Sequence, residues 1–405
     1  MRSFIAFEDA RATVLESIEP LGTESVSMPA ARGRTLREPI TSPGDVPPFD
    51  NAAMDGYAVR AADVPENGTT LPIAFSTESG VALPSLPPQS CARITTGHPL
   101  PPGADAVVRK ERTERNNDGD PDRIRFTTVP AEGQNVRPAG EDIAAGDVVL
   151  ESGTVIGPAE ASLLASVGRT DFTVAVPPRV LVLATGSELV GADQEPGPGQ
   201  IRDANGPSLA LRVESAGGQP CLRRGPDDAS ALETILADAL PSTDLLLISG
   251  GMSVGHDDLV LQVLDRMGLD LRFWKVRQRP GKPVAFGTLD GRPVLGLPGN
   301  PVAAAVCFEV YARPALATLL GRSEILPTLD TAVLDEGYRV KEGYHYLTRG
   351  VARVDDTGRL RVRTTGHQGS GISTSMRDAN CLIHLDEDVV DPEPGRLVAI
   401  QWLSD

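Results

Sequence analysis

A loop rich in glycine, serine and aspartate follows a short apolar run in the middle of the chain. Residues 249–258 read SGGMSVGHDD, and the Leu-Leu-Leu-Ile run at 245–248 is typical of a strand buried on both faces of a parallel sheet. Glycines let a backbone turn tightly and approach a ligand. We predict a helix over 257–267, whose first turn holds Asp257 and Asp258. A helix start binds anions, and the carboxylates indicate a cation, so the loop predicts a site for a phosphorylated or otherwise anionic small molecule.

A cluster of basic residues follows at 272–283, in a chain whose formal net charge is −17. Its members are Arg272, Lys275, Arg277, Arg279 and Lys282. Charge clusters are usually solvated surface. Here the sequence Arg-Pro-Gly-Lys-Pro at 279–283 predicts a turn that fixes Arg279 and Lys282, and cations positioned in this way suit an oxyanion or a phosphate.

Strands and helices alternate from residue 179, which predicts an α/β domain with a largely parallel sheet. The predicted strands are 180–183, 219–224, 244–248, 271–276, 283–287 and 293–297. The predicted helices are 207–215, 229–239, 257–267 and 302–319. In such sheets, ligands bind in the crevice beyond the carboxyl ends of the strands.

Three further loops fall where strands of this sheet should end. They are 185–189 (TGSEL), 200–206 (QIRDANG) and 297–301 (LPGNP). A turn or a helix cap explains each loop by itself: Asn205 suits a cap, and Asn300 with Pro301 suits an N-cap followed by the first helical position. Four loops at one sheet edge are what a binding crevice requires, so we expect a ligand site there.

The rest of the chain is described by coarser patterns. Helices are predicted over 7–18 and 157–167, a mostly β region over 57–150 with a hairpin tip at 116–120, and a small β-barrel or sandwich over 328–405. A chain of 405 residues favours two to four domains. The expected fold class is therefore α/β plus β, in a multidomain protein.

Composition excludes several classes of protein. A net charge of −17 leaves no global basic surface, so we expect no nucleic acid as the main partner. The sequence has no run of 18 apolar residues, so no membrane span is expected, and residues 1–18 do not resemble a signal peptide, which favours the cytoplasm. The cysteines are far apart, and we expect buried thiols rather than a metal or redox site. They are Cys91, Cys221, Cys307 and Cys381.

Several conspicuous segments in the N-terminal half complete the set of motifs, although their spacing alone places none of them in a site. The segments are FDNAAMDGYA at 49–58, TTG at 95–97, GADAVV at 103–108 and VRPAGED at 136–142. Together with TGSEL, IRDANG, SGGMSVGHDD, RPGKP, LPGNPV and TGHQGS…ANCLI, they resemble the molybdopterin molybdenumtransferase (MoeA) family, whose relatives include the E domain of gephyrin. The motifs occur in family order from about residue 45 to 384, so the resemblance spans nearly the whole chain.

The resemblance implies an enzyme that takes adenylylated molybdopterin and molybdate, hydrolyses the adenylyl phosphoanhydride, releases AMP and inserts molybdenum, with a divalent cation such as Mg²⁺. The implied cation ligands are Glu188, Asp227 and Asp258. With these three, the implied catalytic residues are Asp55, Thr96 and Asp142. The implied substrate-binding residues are Ser249, Gly250, Gly251, Ser253, Gly255, Lys275, Arg279, Lys282, Pro298, Asn300, Pro301, Arg349 and Ser370.

The resemblance also implies a homodimer whose site lies between subunits, with the second subunit supplying Asp55, Thr96 and Asp142. It implies an elongated dimerisation domain (1–48 and 139–174), a β-rich domain (49–138), an α/β molybdopterin-binding domain (175–327) and a C-terminal β-barrel (328–405). Further implied partners are the adenylyltransferase of the same pathway and molybdoenzymes.

Two departures from the family pattern affect the expected oxyanion site. Ala303 stands where many relatives have serine, and Arg279 stands where relatives often have lysine, which keeps the charge and changes its geometry. Three alternatives remain open: adenylyl transfer to molybdopterin, a non-catalytic gephyrin-like dimeric scaffold, and a paralogue that prefers tungstate.

Overall fold

A computed structural model of the protein describes residues 2–78, 80–115, 122–251 and 259–403. The predicted hairpin tip at 116–120 lies outside the described residues. So do three residues of the predicted site, Ser253, Gly255 and Asp258.

The secondary structure consists of short strands and eight α-helices within the described ranges. The strands are β1 (Arg2–Ile5), β2 (Thr23–Ser27), β3 (Ile40–Thr41), β4 (Asn51–Ala52), β5 (Gly56–Val59), β6 (Thr70–Ser76), β7 (Cys91–Ile94), β8 (Ala106–Arg109), β9 (Thr113–Arg115), β10 (Arg123–Phe126), β11 (Val136–Arg137), β12 (Val148–Leu150), β13 (Asp171–Ala175), β14 (Arg179–Thr185), β15 (Leu189–Val190), β16 (Ile201–Arg202), β17 (Gln219–Gly225), β18 (Leu245–Ser249), β19 (Asp270–Val276), β20 (Gln278–Arg279), β21 (Ala285–Leu289), β22 (Arg292–Leu297), β23 (Leu329–Leu334), β24 (His345–Val354), β25 (Leu360–Thr364), β26 (Cys381–Leu385) and β27 (Leu397–Trp402). The helices are α1 (Phe7–Glu16), α2 (Pro158–Ser166), α3 (Asn205–Ser215), α4 (Ala229–Ala239), α5 (Leu259–Arg266), α6 (Pro301–Cys307), α7 (Arg313–Leu319) and α8 (Thr374–Arg377).

The chain forms two compact units. The first contains residues 1–37, 152–156 and 172–405, and the second contains residues 38–151 and 157–171. The predicted division placed residues 1–48 in one domain with residues 139–174. In the structure, residues 1–37 instead belong to the same unit as residues 172–405. The four-domain division stays a prediction.

A seven-stranded sheet organises the first unit, in the order β1-β19-β21-β22-β18-β14-β17. Neighbouring strands are parallel except where β21 meets β19 and β22. The prediction of a largely parallel α/β sheet is therefore confirmed. Since β22, β18, β14 and β17 are adjacent and parallel, the loops that follow their carboxyl ends share one edge.

Apolar alternation explains why β14 and β18 lie at the centre of this sheet. Val182 and Leu247 face one core cluster, whereas Leu183 and Ile248 face the other. Because both faces of the sheet are covered, consecutive residues of these strands are apolar.

The strand β1 was not predicted. It pairs in parallel with β19 at the edge of the sheet, with Ile5 opposite Val276. The helix α1 follows it and buries Phe7, Ala10 and Val14 in the core cluster of this unit. The start of the chain is thereby held beside the segment that leads into the basic turn at 279–283.

The predicted long helix over 302–319 is present as α6 and α7, joined by the π-helical segment Phe308–Ala312. It spans Pro301–Leu319 and is the one helix among the described residues with the length and mean hydropathy (1.4) of a membrane span. Because 94% of that window is buried inside the protein, it is a core helix of the first unit.

The C-terminal strands form a closed five-stranded barrel, β24-β25-β23-β27-β26, in which β26 returns to β24. This confirms the barrel rather than the sandwich. The short strand β20 pairs in parallel with β24 and places Arg279 opposite Tyr346. The basic turn is therefore attached to both the α/β sheet and the barrel.

The second unit is mostly β, as predicted. Its main sheet has the order β8-β5-β7-β6-β10-β9. Two shorter pairs, β11 with β4 and β12 with β3, lie in the same unit.

Candidate functional site

A cavity of about 500 Å³ lies at the carboxyl edge of the parallel strands in the first unit; we call it the sheet-edge cavity. The four predicted loops all contribute to its wall, together with the turn after β17. The lining residues are Ala184, Thr185, Gly186, Glu188, Leu189, Ile201, Arg202, Asp203, Ala204, Asn205, Asp227, Ser249, Gly250, Gly251, Gly299, Asn300 and Pro301.

One loop reaches this cavity by a route that differs from the prediction. Ile201 and Arg202 form β16, which pairs with β15 in a separate two-stranded sheet. The 200–206 loop therefore does not end a strand of the main sheet. It returns from an excursion between β14 and α3, while the turn after β17 supplies Asp227.

A second cavity, of about 410 Å³, lies between the basic turn, the start of α6 and the barrel; we call it the cationic cavity. Its lining residues are Gln278, Arg279, Pro280, Gly281, Lys282, Pro283, Pro298, Asn300, Ala303, Tyr346, Leu347, Thr348, Arg349, Gln368 and Ser370. Asn300 lines both cavities, which therefore adjoin.

The glycines of the sheet-edge cavity are required by close packing. Gly250 and Gly251 have φ of +91° and +62°. A Cβ at Gly250 would lie 2.5 Å from the carbonyl oxygen of Thr185, and one at Gly251 would lie 2.4 Å from Cγ2 of Val260. No side chain fits there, so the backbone itself forms that part of the wall.

Asn205 was assigned only a capping role by sequence reasoning, yet its side chain joins three loops. Its Nδ2 donates to Oγ of Ser249 at 2.7 Å and to the carbonyl oxygen of Gly299 at 2.8 Å. Asp203 instead accepts a hydrogen bond from the backbone of Gly206 at 2.8 Å. An asparagine near the start of a helix is the available signal in the sequence, and it does not distinguish a cap from a hydrogen bond between loops.

Two of the three predicted cation ligands, Glu188 and Asp227, are exposed and line the sheet-edge cavity. Asp227 Oδ2 accepts a hydrogen bond from the backbone of Ser187 at 3.0 Å. The Glu188 carboxylate folds over Gly186, where an added Cβ would lie 2.6 Å from Oε2. Their oxygens fit the preference of Mg²⁺. Within the described residues no group of three or more His, Cys, Asp or Glu is arranged to hold a metal, and the third predicted ligand lies outside them.

Arg349 is a buried cation that lines the cationic cavity. Its side chain is only 1% exposed. Nε donates to Oγ of Ser375 at 3.2 Å and Nη2 to the carbonyl oxygen of Gly369 at 3.2 Å, so in the described structure it hydrogen-bonds neutral groups. Burial lowers the pKa of Arg349 to about 10, and the group is still cationic at neutral pH. A buried cation with no carboxylate beside it attracts an anion, because the charge is otherwise uncompensated.

The wall opposite the basic turn is held by amide side chains. Gln368 Oε1 accepts from the backbone N–H of Arg349 at 3.0 Å, and its Nε2 donates to the carbonyl oxygen of Arg349 at 3.1 Å. Asn300 Nδ2 donates to Oγ of Ser370 at 3.0 Å. Asn300 occupies the predicted N-cap position, but its side chain makes no capping bond to α6; it ties the helix start to the barrel loop instead.

Gln278 anchors the basic turn and was not identified from the sequence. It is fully buried, and its Nε2 donates to the carbonyl oxygen of Pro280 at 3.1 Å. Its Oε1 accepts a hydrogen bond from the Tyr311 hydroxyl in the core helix. Gly281, at φ +95°, leaves room for this contact, since a Cβ there would lie 2.6 Å from Gln278 Nε2 and 2.3 Å from Cys307 Sγ.

Among the residues that the structure describes, the predicted substrate-binding residues line the two cavities, with one exception. Lys275 lines neither of them. Its Nζ lies 3.5 Å from the centroid of the Trp274 ring, so it is not grouped with Arg279 and Lys282 as predicted.

In the second unit, Asp55 and Thr96 form one exposed pair. Asp55 Oδ1 accepts hydrogen bonds from the backbone of Thr96 at 2.9 Å and from its hydroxyl at 2.8 Å, and these bonds lower the pKa of Asp55. Lys110 Nζ lies 3.9 Å from the other carboxylate oxygen. Asp142 is also exposed, and its backbone N–H donates to the carbonyl oxygen of Val46 at 3.0 Å.

Known proteins match this chain over nearly its full length. Three family models match: the MoeA N-terminal region (domain I and II) over residues 5–168, a "Probable molybdopterin binding domain" over 181–318, and the MoeA C-terminal region (domain IV) over 331–403. Molybdopterin molybdenumtransferase of Haemophilus influenzae is 36% identical and is covered over 98% of both chains. Molybdopterin molybdenumtransferase 2 of Mycobacterium tuberculosis is 34% identical and is covered over 100% of both.

The fold has a solved counterpart. The crystal structure of the molybdopterin biosynthesis moeA protein from Pyrococcus horikoshii OT3 superposes with a TM-score of 0.85 at 29% identity, covering 99% of this chain and 100% of that one. Sequence identity, the family models and this full-length superposition agree. The chain belongs to the MoeA family of molybdopterin molybdenumtransferases.

Proposed function

We propose that this protein inserts molybdenum from molybdate into adenylylated molybdopterin, with hydrolysis of the adenylyl phosphoanhydride and release of AMP. The observation that carries the proposal is the pair of adjoining cavities. One is walled by glycine backbone and carboxylates, and the other by three cations, Arg279, Lys282 and Arg349. Because the two cavities share Asn300, they could hold adenylylated molybdopterin and molybdate next to each other, as the reaction requires.

In the sheet-edge cavity, the backbone would hold the phosphoanhydride. Gly250 and Gly251 let the chain come close to phosphate oxygens without side-chain obstruction. Asn205 fixes the relative positions of Ser249 and Gly299, so the loops on the two sides of the ligand keep their spacing. This preorganisation lowers the entropic cost of orienting the scissile bond.

Glu188 and Asp227 would hold Mg²⁺ in this cavity, with Asp258 as a further proposed ligand. When bound, the cation would neutralise negative charge on the phosphoanhydride oxygens. The contribution of the chain is to keep the Asp227 carboxylate in place through Ser187 and to expose both carboxylates to the cavity.

In the cationic cavity, Arg349 would bind molybdate as a buried donor that is charged at neutral pH. Arg279 and Lys282 would add positive charge, and Ser370 would supply a hydroxyl. Charge-assisted hydrogen bonds to an oxyanion are about twice as strong as neutral ones. The Asn300–Ser370 hydrogen bond would keep this anion next to the pterin substrate.

A homodimer would complete the site. We propose that Asp55, Thr96 and Asp142 of a second copy face the two cavities. The proposal is supported by the exposed Asp55–Thr96 pair with its depressed carboxyl pKa, and by the described lining residues of the cavities, which all belong to the first unit. Mixed dimers test this. Asp55→Asn and Arg349→Met homodimers would each be inactive, and after subunit exchange about a quarter of wild-type activity would return, since one site in each mixed dimer is intact. If no activity returned after subunit exchange, Asp55 and Arg349 would act together within a single subunit, which would contradict the proposal.

The proposed reaction is tested by giving the full-length protein adenylylated molybdopterin, molybdate and Mg²⁺, and measuring AMP. We expect AMP release that requires both ions, with the Glu188→Gln/Asp227→Asn variant inactive but folded. Replacing molybdate by tungstate measures the metal preference. AMP release without molybdate would contradict the coupled mechanism, and binding of both substrates without turnover would favour a scaffold.

A further inference from the structure

The two cations of the basic turn each lie against an aromatic ring. Arg279 Cζ is 4.4 Å from the centroid of the Tyr344 ring, and Lys282 Nζ is 5.2 Å from the centroid of the Phe4 ring. Both distances are within the range of a cation–π contact. Both cations line the cationic cavity, whereas neither ring does.

The two rings also contact each other. Phe4 and Tyr344 meet edge to face, with centroids 5.9 Å apart and planes at 76°. This is a preferred geometry for an aromatic pair. Phe4 of β1 and Tyr344, just before β24, thus form one aromatic support for Lys282 and Arg279. We call these two residues the ring pair.

Phe4 reaches this position through an unusual backbone conformation. Its φ is +58°, and that of Lys275 on the neighbouring strand is +68°. They lie between the register pairs Ser3–Trp274 and Ile5–Val276. A bulky residue at positive φ is an outlier, and such residues persist only where the surroundings hold them and cluster at functional sites. Here the backbone of Arg277 donates to Ile5 at 2.8 Å and fixes the strand.

Rings suit this position better than carboxylates would. Three cations line one cavity and repel one another. A carboxylate beside Arg279 or Lys282 would relieve the repulsion, but it would also compete with an incoming anion. The negative face of a ring attracts a cation without neutralising it, and it restricts the rotamers of two long side chains that otherwise lose entropy when they bind.

We infer that Phe4 and Tyr344 are positioning residues that hold Lys282 and Arg279 ready for the oxyanion. The inference rests on the proposed molybdate site and adds to it a role for the first strand of the chain. The rings act through the cations and do not touch the anion themselves.

The test is molybdate binding to the full-length protein, measured by calorimetry together with the Tm in the absence of anion. Phe4→Leu and Tyr344→Leu should each weaken binding about two- to fivefold, which is the contribution of an exposed cation–π contact. Leucine keeps apolar bulk at both positions, and at position 4 it carries the same penalty at positive φ. Phe4→Tyr and Tyr344→Phe restore a ring and should bind like the wild-type protein.

Two results separate positioning from a structural role. In a Lys282→Met background, Phe4→Leu should have no further effect on binding; an equal loss in both backgrounds would overturn the inference. Leucine variants that bind molybdate as tightly as the wild-type protein would also overturn it and leave the proposed function standing. Absence of molybdate binding by the wild-type protein would instead contradict the proposed function. If Phe4→Leu fails to fold, molybdate binding by Tyr344→Leu tests the inference: binding as tight as that of the wild-type protein would overturn it.

Discussion

Asn300 Nδ2 donates a hydrogen bond to Oγ of Ser370 at 3.0 Å, and the backbone of Val302 donates to the carbonyl oxygen of Ser370 at 3.1 Å. These contacts join the start of the core helix to a loop of the barrel. Since Asn300 lines both cavities, the same side chain fixes the boundary between them. The role that we propose for Asn300 therefore rests on its place between the two cavities and not on its capping propensity.

Asn300→Ala should lower the rate of AMP release about tenfold or more, because the proposed substrates lose their common boundary and small misplacements are costly. The free energy of unfolding should fall by only about 0.5–1.5 kcal/mol for the lost hydrogen bond. Asn380→Ala is the matched control: Asn380 exchanges hydrogen bonds with Ala352 within the barrel and lines neither cavity. An equal loss of activity in both variants would contradict the assigned role.

Arg349→Met should weaken molybdate binding without lowering stability. Removing a buried cation that has no carboxylate partner relieves its desolvation cost, and such replacements are often neutral or stabilising. We expect an unchanged or higher Tm and a loss of binding of about tenfold or more, as for a hydrogen bond to a charged group. The control is Arg179→Met, which removes an exposed arginine paired with Asp244. A large drop in Tm for Arg349→Met would show that the charge is satisfied within the protein.

Gln278→Leu should weaken molybdate binding and destabilise the protein by about 1–3 kcal/mol, because the buried Tyr311 hydroxyl loses its acceptor. Adding Tyr311→Phe to this variant removes the unsatisfied hydroxyl and should recover part of the stability. It should not recover binding, since Pro280 still lacks the hydrogen bond that holds the turn. Calorimetry and denaturant unfolding on the same samples check both statements, and parallel recovery of binding would contradict the anchoring role.

Ala303→Ser should tighten molybdate binding a few-fold, within the range of about 0.5–1.5 kcal/mol for one hydrogen bond. Ala303 lines the cationic cavity, so a hydroxyl there has an anion to contact. Ala304→Ser, in the same helix but within the core cluster, should instead destabilise the fold and leave affinity unchanged. No change in affinity for Ala303→Ser would place the anion away from α6.

Stability should fall as the pH drops below about 6.5, because of two buried histidines in the barrel. His345 Nε2 and His384 Nδ1 are 3.1 Å apart, and burial lowers the pKa of both below the ordinary value of 6.5. The unfolded chain then binds more protons than the folded one below that pH, so each group lowers stability by up to about 1.4 kcal/mol per pH unit. Unfolding measured from pH 7.5 to 5 checks this. His384→Gln should flatten the profile, and His367→Gln, which changes an exposed histidine, should not.

Much of the fold could be predicted from local patterns. The apolar run before Ser249 is typical of a strand covered on both faces, and the alternation of strands and helices after residue 179 indicates a parallel sheet. Where parallel strands end, loops must gather, so a site at that edge follows from chain direction alone. The pairing of Asp55 with Thr96 does not follow in this way, since those residues are far apart in the sequence.

The sequence by itself determined the sheet, the edge at which loops converge and the presence of positioned cations, because these depend on periodicity and on the rigid geometry of Pro and Gly. Only the tertiary structure decided which cations meet. Arg349 arrives from a barrel strand, and Gln278 joins the basic turn to Tyr311 of the core helix. Lys275 lies against Trp274 although it is close to Arg279 in the sequence. Contacts between distant segments depend on how whole elements pack, and the local pattern of residues does not encode them.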